Sequence, residues 1–117
     1  MKVIFIPELL EYFEGLMIIL YEKGYFGFED SAQNYVIELV RNIKETLPLR
    51  PHKPAPKRFD RYGKNMKYAG FKKNKTTTWY VFFTTYIENG EKKYLVRYIA
   101  NNHTAAQYLE PKFPQDE

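Results

Sequence analysis

The sequence predicts an α+β domain. An N-terminal strand and an antiparallel helical hairpin precede a three-stranded antiparallel sheet, in the order β-α-α-β-β-β. Three observations carry this prediction. Apolar residues at helical spacing are confined to the first 47 residues. Runs rich in β-branched and aromatic residues dominate residues 66–101. Asn89-Gly90 lies between two of those runs, and Asn-Gly in that setting is the strongest short-range hairpin signal. Helices early and strands late place the helices on one face of a mostly antiparallel sheet.

Residues 2–6 (Lys-Val-Ile-Phe-Ile) read as the first strand. Pro7 and Glu8 suit a first helical turn, because proline needs no N–H there and a carboxylate favours the positive end. Leu9, Leu10, Phe13, Leu16, Met17, Leu20 and Tyr21 give the stripe, and Lys23-Gly24 the left-handed stop. Gly15 interrupts this helix at a cost of about 1 kcal/mol relative to alanine. The second helix starts near Asp30 or Ser31, both good N-cap types. Its stripe is Ala32, Tyr35, Val36, Leu39, Val40, Ile43 and Leu47, and Pro48 ends it. Residues 48–65 hold four prolines and read as an extended, irregular loop. Strands are expected over 66–73, 76–87 and 92–101, and a short helical turn over 102–111.

The chain has 117 residues, 44% apolar and 18% aromatic, which suits one domain over 1–111 followed by a tail at 112–117. It has no cysteine, so a disulfide framework, a cysteine-ligated zinc and a thiol nucleophile are excluded. His52 and His103 are too few for a usual structural metal site, and no metal or cofactor is expected. The N-terminal residues do not read as a signal peptide. The longest apolar run, Leu16–Tyr21, falls far short of the roughly 20 residues of a membrane span. A soluble cytoplasmic domain is the expectation.

Charge is unevenly distributed. Residues 1–49 carry a net −4, residues 50–75 a net +9 and residues 76–117 a net −1. The middle segment holds ten cations, Arg58, Arg61, Lys67, Lys72 and Lys73 among them, against Asp60 alone. Such a block attracts polyanions, nucleic acid above all. It reads equally as a solvated flexible loop without a ligand.

A two-residue Asn89-Gly90 turn makes directly opposed residue numbers sum to 179. One sheet face then carries Trp79, Val81, Phe83, Val96, Tyr98 and Ala100 and faces the core. The other carries Tyr80, Phe82, Tyr86, Lys93, Leu95, Arg97 and Ile99, with His103 beyond the strand end. Aromatic faces stack on unpaired bases, and cations meet phosphate. Two other outcomes stay open. The C-terminal segment around Tyr108 and Leu109 could cover this face, with Arg97 holding a carboxylate. A slip or a bulge would exchange the faces.

The order of elements, with Tyr-Val-Phe-Phe (80–83), Glu-Asn-Gly-Glu (88–91) and Leu-Val-Arg-Tyr-Ile-Ala-Asn-Asn-His (95–103), resembles the RelE/ParE superfamily of toxins from toxin–antitoxin pairs. The resemblance spans about residues 1–110. It implies a toxin that cleaves messenger RNA on the ribosome without a metal or, as the alternative, one that poisons DNA gyrase. It also implies a cognate antitoxin as partner. A nucleic-acid-binding domain of the same fold without catalysis is a further reading. Carried over by position, Arg97 is the phosphate-stabilising arginine, His103 a general acid or base, and Tyr108 the tyrosine of the tail. Lys67, Lys72 and Lys73 contact phosphates. Tyr80 stands where many members have an arginine, a departure that bears on nuclease activity. RNA cleavage by 2′-hydroxyl attack needs a proton acceptor, a phosphoryl-charge stabiliser and a proton donor. Histidine carries protons near neutrality better than an unperturbed tyrosine does.

Overall fold

The computed structural model describes residues 2–24 and 29–103. Strand β1 (Lys2–Phe5) leads through Ile6 into helix α1 (Pro7–Glu22), and helix α2 (Glu29–Thr46) follows. Pro7 occupies the first turn of α1 with Glu8, as its missing N–H allows. At the other end Gly24 takes φ +79° and its N–H donates to the Tyr21 carbonyl. Helix α2 begins at Glu29, so Asp30 and Ser31 lie inside the first turn rather than capping it. It gives way at Leu47–Leu49 to a 3-10 turn containing Pro48.

The sheet has five strands in the order β1-β5-β4-β3-β2, completed by β2 (Lys53–Pro54), β3 (Lys67–Lys72), β4 (Thr78–Glu88) and β5 (Glu91–Asn101). It is mixed, not a three-stranded antiparallel sheet with a separate N-terminal strand. β1 pairs parallel with β5, and the other neighbours are antiparallel. The parallel pair follows from connectivity. The helical hairpin carries the chain across one face, the meander returns strand by strand, and β5 arrives beside β1 running the same way. The fifth strand comes from the proline-rich segment, where Lys53 and Pro54 pair with Tyr68 and Lys67.

Asn89 and Gly90 have φ 53° and 78°, as a two-residue hairpin turn requires. The expected register holds from Glu88↔Glu91 to Phe83↔Val96. A bulge then intervenes: Phe82 pairs with Tyr98, Val81 with Ile99, Tyr80 with Ala100 and Trp79 with Asn101. Arg97 is the extra residue. Beyond it, Ile99 turns under the helices, while Tyr98 and Ala100 turn to the far face.

Each face therefore has its own core. Under the helices Leu9, Phe13, Val36, Leu39 and Ile43 pack on Phe71, Trp79, Val81, Phe83 and Val96. On the far face Phe59, Met66, Tyr68, Tyr80, Phe82 and Ala100 form a second cluster. Residues 48–65 are thus not an irregular loop. A 3-10 segment at Lys57–Tyr62 lies across the sheet, with Phe59 stacked on Phe82 at 4.5 Å and Tyr62 on Tyr98 at 3.9 Å. Arg50 ties the start of this segment down. Its Nε donates to Thr46 Oγ1 (2.9 Å), its Nη1 donates to the Gly70 carbonyl (3.0 Å), and its guanidinium sits 3.9 Å above the Phe71 ring.

Candidate nucleic-acid interface

The bulge builds the site. It leaves Arg97 and Tyr98 side by side on the far face opposite Phe82, where a regular strand would place only one of them. The Arg97 side chain is half-buried, and its Nε donates to the Tyr62 carbonyl at 2.7 Å. Among the described residues its Nη groups make no hydrogen bond, and no carboxylate pairs with it. One edge of the guanidinium is thus fixed by the protein, and the other is left for an acceptor.

Gly63 makes room for this arginine. A Cβ built on Gly63 would lie 2.6 Å from Arg97 Nε and 2.8 Å from its Cδ. Gly63 is in extended backbone, so glycine is needed there for space and not for an unusual dihedral angle.

Tyr98, stacked on Tyr62, is pushed up to about 12 by burial and by the neighbouring Tyr62 phenol. Tyr80 is also raised by burial. Both phenols stay protonated near neutral pH, which suits them to packing and hydrogen bonding and not to proton abstraction.

The predicted site residues are not gathered in one place. Tyr80, Tyr86, Lys93 and Arg97 do share the far face by register. Tyr80 is only 2% exposed, however, so it cannot stack on a base. The reason is the coverage by residues 55–66. Tyr86 is exposed near the hairpin tip. Lys93 lies opposite it, 3.2 Å from Glu91, whose carboxyl is lowered by that hydrogen bond and charge. Arg58 and Arg61 are exposed on the 3-10 segment, with the Arg61 guanidinium 5.6 Å from the Tyr62 ring.

The lysines diverge. Lys67 is exposed and falls on the helix side by strand alternation with Ala69 and Phe71. Lys72 is exposed at the end of β3. Lys73 turns to the helix side, its Nζ 4.8 Å from the Tyr35 ring.

His103 is exposed beyond β5, with its backbone N–H donating to Asn101 Oδ1. Asn102 fixes that end of the strand, exchanging hydrogen bonds with Thr78 and donating to the Thr76 carbonyl. Arg97 and Asn101 are about 13 Å apart at the usual strand rise, and His103 lies past a turn. The strand therefore does not itself set His103 beside Arg97. Tyr108 lies outside the described residues.

Sequence reasoning missed Phe59, Tyr62 and Gly63. The available signal was Phe59, Tyr62 and Met66 spaced three and four residues apart within an otherwise basic segment.

No known protein family, curated protein or solved structure matches the chain.

Proposed function

We propose that the protein is the toxin of a toxin–antitoxin pair, of RelE/ParE type, acting on messenger RNA at the ribosome. The observation that carries this reading is Arg97: a half-buried guanidinium pinned at Nε by the Tyr62 carbonyl, with no described partner on its Nη groups. A planar double donor in that state suits two oxygens of one phosphate. The surroundings favour a polyanion. Lys57, Arg58, Arg61 and Lys64 are exposed on a segment held to the sheet by Phe59, Tyr62 and Met66. Holding like charges on an ordered frame costs free energy that a bound polyanion returns by releasing counterions. The element order, a strand and a helical hairpin before an antiparallel meander, is the one the resemblance implies.

In the cleavage reaction the RNA 2′-hydroxyl gives its proton to water and attacks the adjacent phosphorus. The bond to the 5′-oxygen breaks to leave a 2′,3′-cyclic phosphate, and the 5′-oxygen takes a proton from water. Arg97 stabilises charge on the phosphoryl oxygens. His103, exposed beyond β5, is a contact to a neighbouring nucleotide in this reading and not the proton carrier at that phosphorus. A second reading is favoured by the place of His103 beyond β5 and by the raised phenol of Tyr98 beside Arg97: an RNA-binding domain that does not cleave.

Induced expression, followed by mapping of messenger 5′ ends on purified ribosomes, tests both. Growth arrest with cleavage that Arg97→Ala abolishes supports the toxin. RNA binding that Arg97→Ala weakens, with neither arrest nor cleavage, supports the second reading. Inhibited supercoiling with intact messenger assigns a gyrase target instead.

A further inference from the structure

We infer that the outer face of α1 is a docking surface for a basic amphipathic helix of a partner protein. This surface lies across the sheet from Arg97, and the inference does not depend on the RNA reading.

The helix is apolar on more than its buried side. Leu9, Phe13 and Leu16 are buried, yet Leu10, Tyr12, Ile18, Ile19 and Tyr21 are 54, 39, 56, 47 and 44% exposed. Single exposed apolar residues are ordinary, but Tyr12, Ile18 and Ile19 cluster three and four residues from Gly15, while Leu10 and Tyr21 lie on the other flank beyond Glu14.

Gly15 is the second, independent observation. It weakens the helix, and a Cβ there would meet nothing within 4 Å, so no packing inside the chain calls for glycine. Its neighbours three and four residues away are Glu11, Tyr12, Ile18 and Ile19, all exposed. A glycine so placed lets a second backbone approach closely at the middle of the patch.

Charge selects the occupant. Every charged residue of α1 is a glutamate, and Glu8, Glu11, Glu14 and Glu22 are all exposed. A partner with lysine or arginine beside its apolar stripe pairs with them. A second copy docking α1 on α1 would set glutamates against glutamates. The chain's own residues 104–117 carry one lysine against three acids and are disfavoured for the same reason. An anionic membrane surface is repelled likewise.

The test uses the full chain and a labelled synthetic helix of about 18 residues, leucine on one face and lysine on the other, with a leucine/glutamate peptide as control. Fluorescence anisotropy is expected to show binding of the lysine peptide at least tenfold tighter than of the control. Ile18→Ser with Ile19→Ser, both at exposed positions beside Gly15, should weaken that binding at least tenfold. Gly15→Leu should weaken it while raising the melting temperature of the free protein. Unchanged binding in these variants overturns the inference. A sedimentation dimer that the double variant dissolves also overturns it, by assigning the face to a second copy.

Discussion

Arg97 and Gly63 are matched in space. The arginine side chain occupies the volume a Cβ on residue 63 would take, and from there Nε reaches the Tyr62 carbonyl. The atoms in conflict belong to a flexible side chain, so Gly63→Ala should displace the guanidinium without unfolding the domain. RNA binding measured against salt should then mimic Arg97→Ala. The slope of log affinity on log salt falls by about 0.7 for one lost single-strand phosphate contact. A Gly63→Ala protein that keeps the parent slope would separate Arg97 from phosphate binding.

Phe59 seats the basic segment on the far face. It is 4% exposed and stacks on Phe82. Phe59→Ala should cost about 3–5 kcal/mol in urea unfolding. RNA affinity should fall in the same variant, although no cation has been removed, because the cations lose their frame.

Trp79 and Tyr35 join the sheet to α2. Trp79 Nε1 donates to Tyr35 Oη at 2.9 Å, and the tryptophan is 3% exposed. Tyr35→Phe leaves that buried donor without its acceptor, a loss of about 1–3 kcal/mol. Trp79→Phe removes donor and bond together but also shrinks a buried ring. Denaturant midpoints of the two single variants and the double variant give the coupling between the residues.

Tyr98 makes stability fall in alkali. Its folded value of about 12 lies above the ordinary tyrosine value of 10, so over that interval the native state holds a proton the unfolded chain has released. Stability is then lost as pH rises from about 10 to about 12. Absorbance at the phenolate band should show a late ionisation step that Tyr98→Phe removes, and the variant should lose less stability over the same pH interval.

Much of the architecture was written locally. Pro7 and Glu8 start α1, Gly24 stops it, and Asn89-Gly90 turns the hairpin, each through its own backbone preference. The register next to the turn followed by counting, as did the shared face of Phe82, Tyr86, Lys93 and Arg97. Those features depend on neighbours a few residues away, and the sequence contains them.

The bulge at Arg97 and the closure of the far face depend on groups distant in the chain. Ile99 gains burial under the helices only if the strand gains a residue, and Tyr98 gains the Tyr62 ring only if residues 57–62 lie across the sheet. The sequence by itself determined where the two long helices and the longer strands run and where the positive charge collects. The tertiary structure alone decided which face of β5 each residue takes, because a one-residue shift exchanges the faces and only packing between distant segments favours one register over the other.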